Sequence, residues 1–272
     1  MSYHDREEVS NSDLDYAAKS YADYLNYKKN GGKTTPAMKF GTIFHEFILE
    51  DKSNFVVDGA ICEDIGGKVP RNTKKYKEWK AEQVEEIVTA DDYDMLSNMQ
   101  HAAYSHEEAK KILSIPDAEI EKEIYFDFNG FKCRSKLDFV SKKEKLIVDL
   151  KSIKEITAEE ITKAIIYGYA RQGAFYSLAV QNEYKEDFKF KLIFVEKKAP
   201  YKVAVVPLNE VFKIRGTIEI TNILNKMKLE REMENGYYQG EWDIQPPAWL
   251  VQQVQQMTQV MKQEQKQIEE DI

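Results

Sequence analysis

Asp149 and Lys151 stand two positions apart in "LIVDLKS" (146–152), a short apolar run that ends in a carboxylate and an ammonium. Its length and its Leu, Ile and Val content predict a β-strand, in which successive side chains alternate faces. Leu146, Val148 and Leu150 then point one way, and Ile147, Asp149 and Lys151 the other. The first set reads as core. The second places charge at the end of a buried strand, where an unpaired ion is costly. An isolated D-x-K is most often a structural ion pair at a strand end, so chemistry requires further groups.

The preceding strands supply such groups. "EIEKEIYFDF" (119–128) and "FKCRSKLDFV" (131–140) flank Asn129-Gly130, the strongest short hairpin signal. Alternation puts Lys132, Arg134, Lys136 and Asp138 on one face, and puts Glu121 and Glu123 together on a face of the first strand. Two carboxylates and a Lys from adjacent strands, with a third acid upstream, suit a divalent-metal phosphodiesterase. Hard Mg²⁺ or Mn²⁺ takes oxygen ligands and keeps several waters. Such an ion polarises a phosphate oxygen and lowers the pKa of a bound water, while a Lys positions that water or neutralises developing charge. Acids in hairpins usually face solvent. The weight therefore lies on the combined pattern: an upstream Glu, Asp138, a ten-residue interval, then Asp149-x-Lys151.

The elements that must position these groups are legible along the chain. Residues 10–29 read as helical, with Ser10 or Ser12 as N-cap. Residues 36–50, "PAMKFGTIFHEFILE", read as a buried helix starting near Pro36. "GKT" at 32–34 is not a phosphate-binding loop, because Tyr27 stands where that motif requires Gly and no strand precedes it. A helix running to about 90 and another over roughly 92–113 precede the hairpin. The strand carrying Asp149 leads into a long helix over 157–184, opened by Thr157 with Glu160 in a capping-box arrangement. Strands at 188–197 and 201–208 and a helix at 209–234 follow. This order predicts an α/β fold with a mixed central sheet flanked by helices. We expect one domain over 1–272: a helical part at about 10–113, a sheet core at about 119–208, and C-terminal helices at about 209–272. In the tail, Leu250, Val254, Met257, Met261 and Ile268 fall on one helical stripe.

Composition bounds the function classes. Of the 272 residues, 42% are hydrophobic and 32% charged, as in soluble globular proteins. No apolar run reaches the roughly 18 residues of a membrane span. The start, "MSYHDREEVSNSDLDY", lacks the basic and apolar regions of a signal peptide. Cys62 and Cys133 lack metal-type spacing and fit a reducing compartment. A cytoplasmic location is expected. The net charge of −8 argues against a protein that simply coats nucleic acid. Basic residues are local, at "KVPRNTKKYKEWK" (68–80) and "FKCRSK" (131–136). Most charge runs are solvated faces. Arg71 with Lys74 or Lys75 would nevertheless suit a grip on a substrate phosphate.

The ordered set of motifs resembles the PD-(D/E)xK nuclease superfamily, with "DLK" at 149–151 as the (D/E)xK element. It is most similar to the RecE-type exonucleases of phages and prophages, the nuclease domain of exodeoxyribonuclease VIII. The likeness is carried by "VSNSDL" (9–14), "FGTIFHEFILE" (40–50), "EKEIYFDFNGFKCRSKLDFV" (121–140), "IVDLKS" (147–152) and "YGYARQGAFYSLAV" (167–180). It implies a restriction-endonuclease-like core with an N-terminal helical part. It also implies Asp138, Asp149 and the Leu150 carbonyl as metal ligands, with Glu121 holding the metal directly or through water and Glu123 as the alternative acid. Lys151 would be the catalytic Lys. His45 would face the metal, although a His on an apolar helix is usually a satisfied core residue. Gly41, one turn earlier, would let that helix approach the sheet. Tyr169, Gln172 and Tyr176, at i, i+3 and i+7, would border the site and contact substrate or Lys151.

The implied activity is Mg²⁺-dependent 5′→3′ digestion of one strand at linear duplex DNA ends, leaving 3′ overhangs for recombination by strand annealing. Mn²⁺ would substitute for Mg²⁺. The implied partners are DNA ends, a RecT-type single-strand annealing protein and copies of the chain in a toroidal trimer or tetramer, within a phage- or prophage-bearing bacterium. The rival readings are a Cas4- or RecB-like or structure-specific endonuclease of the same fold, and a non-catalytic DNA-binding protein. Two cysteines cannot alone build the four-cysteine iron–sulfur cluster many Cas4- and RecB-like enzymes carry. Loss of chemistry usually removes ligands, and here the full set is present.

Overall fold

A computed structural model of the chain describes residues 7–50, 54–58, 71–241 and 251–252. Two compact units divide it, residues 1–237 and 238–272. The tail stripe Leu250 to Ile268 lies outside the described residues, as do Cys62 and the first three residues of the basic run at 68–80.

The first unit is built on a five-stranded sheet in the order β3 (Glu119–Phe128), β4 (Phe131–Ser141), β5 (Leu146–Ile153), β6 (Lys189–Glu196), β7 (Val203–Pro207). β5 and β6 are parallel, and every other pair is antiparallel. Asn129 and Gly130 both take left-handed φ, 49° and 76°, as a type I′ two-residue hairpin turn requires. The parallel pair is joined by α7 (Ala158–Ala164), a π-helical turn at Ile165–Tyr169, and α8 (Ala170–Tyr184). Thr157 caps this segment, accepting from the Glu160 N–H at 3.1 Å.

Each face of the sheet is covered by helices. On one side Ile147, Leu192 and Phe194 pack with Leu14, Phe175 and Leu224. These last three come from α1 (Asp13–Ala17), α8 and α9 (Glu210–Arg231). Gly216 lets α9 lie on α8, since a Cβ there would sit 2.3 Å from the Ala170 carbonyl oxygen. On the other side Val148, Leu150 and Ile193 pack with Phe44 and Leu96. Those residues belong to α3 (Pro36–His45) and α5 (Ala90–Ser105). Burying apolar side chains on both faces explains why β5 and β6 read as nearly continuous apolar runs.

Several predicted elements divide or shorten. The helix expected over 10–29 becomes α1 and α2 (Tyr21–Asn30), because Ser20 turns extended and caps α2 through the Asp23 N–H. The one expected over 92–113 breaks at His106, whose extended backbone and ring Nδ1 cap α6 (Glu107–Leu113). α4 (Lys74–Glu82) stops well before 90, since Glu86–Val88 (β2) pairs in parallel with Phe55–Val57 (β1). Three-residue strands are too short to display a period. The segment 36–50, expected to be buried, presents one inward face: Phe44 and Ile48 are buried while Met38 is 58% exposed. Its last five residues, Glu46–Glu50, form a second π-helical turn.

Candidate metal centre and active site

The site begins where β4 and β5 part. Their ladder spans only Phe139–Ser141 against Leu146–Val148. Leu137 packs on one face of the sheet and Phe139 on the other, so the chain rotates at Asp138. Across the hairpin, Glu121 takes a left-handed φ of 54°. This is a strained conformation for a non-glycine residue, and such conformations gather at functional sites. The ladder partners skip from Ile120–Phe139 to Lys122–Leu137 at that point.

The backbone groups that β5 would have given to β4 go to side chains instead. The Leu150 N–H donates to Asp138 Oδ2 at 2.9 Å. The Leu150 carbonyl oxygen lies 2.7 Å from His45 Nε2. His45 Nδ1 is 3.5 Å from Asp138 Oδ2. One ligand atom each from His45, Glu121 and Asp138 fall within 4.8 Å of one another. These residues open onto a cavity of about 540 Å³, also lined by Glu46, Glu50, Lys136, Lys151, Ser152, Tyr169 and Lys197.

Asp149 lies in the wall rather than in that trio. It is fully buried, with Lys151 Nζ 2.8 Å from Oδ2. Oδ2 takes this ion pair and no further partner among the described residues. Oδ1 accepts from Gln172 Nε2 at 3.0 Å, and the same amide donates to the Tyr176 hydroxyl at 3.0 Å. Gln172 therefore holds Asp149, not Lys151. Lys151 Nζ stands 5.4 Å from the centre of the Tyr169 ring, which the π-helical turn at 165–169 brings to the cavity. Both π-helical turns in the described residues thus deliver cavity residues, a common use of this rare geometry.

The electrostatics follow from burying several acids together. Burial pushes the Asp149 carboxyl up to about 7 against the opposing pull of Lys151, and burial likewise raises Asp138. Burial lowers His45, helped by the Lys151 charge, which favours the neutral imidazole that can act as a ligand. Lys151 is pulled down by burial but raised more strongly by Asp149 and Asp138, and stays a cation. Glu46 is raised by burial and by Glu50 and Glu121. The site is short of positive charge. Its donor set of carboxylates, a carbonyl and one imidazole fits a hard divalent cation.

Other predicted residues go elsewhere. Glu123 is exposed and accepts from the Tyr125 hydroxyl at 2.7 Å, so alternation from Glu121 does not bring it to the cavity. The left-handed turn at Glu121 separates the two acids. Tyr176 is buried behind Gln172. Arg71 donates to Asp58 at 2.8 Å, and Asp58 also accepts from the Tyr76 hydroxyl and the Ala90 N–H. Asp58 thus pins the end of β1 to α4 and α5, and Arg71 is occupied as one of its partners. Lys74 pairs with Glu78 on an exposed face, and Lys75 is exposed. None of the three lines the cavity. Of the basic stripe on β4, Lys136 pairs with Glu121 at the cavity, whereas Arg134 is buried beside Asp13 and the Glu8 carbonyl. A Cβ at Gly41 would meet no atom within 4 Å. Close helix–sheet approach is therefore not the reason for that glycine, which instead leaves room in the cavity wall. The sequence reading passed over Glu46, Glu50, Ser152 and Lys197. The i, i+4, i+8 spacing of Thr42, Glu46 and Glu50 could have signalled the first two, and the C-terminal ends of parallel strands the last two.

A family described as a PDDEXK-like domain of unknown function matches residues 10–237. No curated protein matches significantly. Among solved structures, a candidate exonuclease from Eubacterium rectale has a TM-score of 0.58 at 16% identity, covering 90% of this chain and 92% of that one. At that identity the likeness is one of fold. The structure of SSO0001, at 14% identity over 71% of this chain and 90% of that one, has a TM-score of 0.28. Since the family match runs from the first turn before α1 past the end of α9 and takes in every strand of the sheet, the chain belongs to the DUF3799 family of PDDEXK-like domains.

Proposed function

We propose that this chain is a Mg²⁺-dependent exodeoxyribonuclease that degrades one strand of linear duplex DNA from its 5′ end. The observation that carries the reading is the meeting of His45, Glu121, Asp138, the Leu150 carbonyl and Lys151 at one cavity, with Asp149 buried in its wall. His45, Glu121, Asp138 and the Leu150 oxygen would hold the cation, and Asp149 would join them through Oδ2, the oxygen that Lys151 engages. Carboxylate and carbonyl donors suit Mg²⁺, with Mn²⁺ as substitute. When bound, the cation polarises a phosphate oxygen and lowers the pKa of a water. Lys151, kept charged and oriented by Asp149, stabilises the negative charge that grows on the phosphate during attack. Gln172 fixes Asp149 so that this ammonium does not wander.

The end-directed activity, the 5′→3′ polarity and the 3′ overhang rest on the RecE-type resemblance. The name of the Eubacterium rectale protein, a candidate exonuclease, supports the first of these. The same resemblance suggests a toroidal trimer or tetramer, delivery of the overhang to a RecT-type annealing protein, and work in the cytoplasm of a phage- or prophage-bearing bacterium. No helix among the described residues is long and apolar enough to cross a membrane. The test is digestion of linear duplex DNA labelled at the 5′ or the 3′ end with Mg²⁺, beside a closed circle and a Lys151→Ala variant. Early loss of the 5′ label, an intact circle and an inert variant are expected. Cutting of the circle would instead establish an endonuclease.

A further inference from the structure

Lys197 follows β6 directly, at the carboxyl end of the parallel pair β5–β6, and its side chain lines the cavity. The other two lysines of the wall are committed, Lys151 to Asp149 and Lys136 to Glu121. Lys197 has no carboxylate partner among the described residues. Its ammonium sits 4.7 Å from the centre of the Phe40 ring on α3, a contact that orients the side chain without neutralising it.

The backbone under Lys197 is firmly held. Its N–H donates to the Ile153 carbonyl at 2.9 Å. The preceding residue, Glu196, is buried and accepts from the Ile156 and Lys202 N–H groups, each at 3.3 Å. One carboxylate thereby ties the chain leaving β5 to the turn between β6 and β7. A flexible ammonium is mounted on a rigid strand end, at the cavity that Ser152 also lines.

The cavity needs such a group. Glu46, Glu50, Glu121 and Asp138 all line it, and Asp149 lies behind it. A nucleic acid strand brings several phosphates to any site, and only one of them is cleaved. The others meet an acidic wall unless a cation on the protein receives them. We propose that Lys197 binds a non-scissile phosphate next to the cleaved one and so sets the strand in register with Lys151 and the carboxylates. This inference rests on the nuclease reading above and adds a substrate-binding residue to it.

The test compares wild type with Lys197→Met, which keeps the apolar stem over Phe40, and with Lys197→Arg, which keeps the charge. Binding of a short duplex is measured in Ca²⁺ without turnover over a range of salt, and steady-state cleavage is measured in Mg²⁺. Loss of one phosphate contact should lower the slope of log affinity against log salt by about 1. The Met variant is expected to raise KM about tenfold with kcat within about twofold, and the Arg variant to restore KM. If wild type cleaves and the Met variant matches it in KM and salt slope, Lys197 is only packed on Phe40 and the inference is overturned. If wild type binds DNA with a Lys197-dependent slope yet never cleaves it, the nuclease reading fails and the phosphate contact stands.

Discussion

The side-chain amide of Gln172 donates to Asp149 Oδ1 from 3.0 Å, clamping from the helix side a carboxylate that Lys151 engages from the strand side. A buried acid held by two partners from different elements has one available orientation. Gln172→Ala frees Asp149 without removing it, and should lower kcat by roughly 10- to 100-fold, the usual effect of losing a group that orients a ligand. Gln172→Glu sets a carboxylate against a carboxylate and should be worse. Circular dichroism and Mn²⁺ titration calorimetry would separate weakened metal binding from unfolding.

Lys151→Met should abolish turnover while leaving the Leu150 backbone bonds in place. It also removes the cation that opposes the effect of burial on Asp149. The Asp149 carboxyl, already pushed up to about 7, is then expected to rise further. A carboxyl pKa followed by nuclear magnetic resonance on the metal-free protein, unchanged between wild type and variant, would contradict this account.

Raised carboxylate pKa values fix the sign of the pH dependence without metal. At these carboxyls the folded protein binds more protons than the unfolded one between the ordinary carboxylate range and about pH 7, so their contribution to stability falls as pH rises through that window, while the lowered His45 works the other way. Asp138→Asn keeps an acceptor for the Leu150 N–H and removes one costly charge. In EDTA it should melt a few degrees above wild type near pH 8, with the gap closing toward pH 4. It should also lose cleavage and most metal affinity. Calorimetric melting at the two pH values is decisive, and a gap that widens on acidification would be the wrong sign.

Bound metal should reverse that trend. Mg²⁺ or Mn²⁺ favours the ionised carboxylates, so its binding releases protons and its stabilising effect grows with pH. Melting temperature measured with and without Mn²⁺ should diverge from about pH 5 to pH 8. Equal shifts at both ends would point to a cation bound elsewhere.

Gly41→Ala separates stability from activity. The position is helical with ordinary φ, and the added methyl has open space. Stability should rise by about 0.5–1 kcal/mol, the helix-interior difference between Gly and Ala. Cleavage should fall, because the methyl intrudes on the cavity. A variant that is both more stable and fully active would show that the wall at Gly41 does not face substrate.

Much of the site was written locally. Asn129-Gly130 determines the hairpin because both residues readily take the left-handed φ of a type I′ two-residue turn. The apolar run before Asp149-x-Lys151 determines a strand with its two charges side by side, and Thr157 determines where the following helix begins. These signals act over a few residues, so composition and spacing suffice to read them. Which acid serves the metal was not local. Alternation treats Glu121 and Glu123 alike, and they are told apart by the left-handed backbone at Glu121 where β4 turns away from β5. That parting depends on His45 meeting Leu150 across 105 residues of chain. Arg71 read as a phosphate grip because its charge is visible in sequence, whereas Asp58, the partner that occupies it, becomes its neighbour only on folding. Lys197 went unnoticed for the converse reason. Nothing in its own neighbourhood marks it, and only the parallel pairing of β6 with β5 carries it to the cavity that the other lysines already serve.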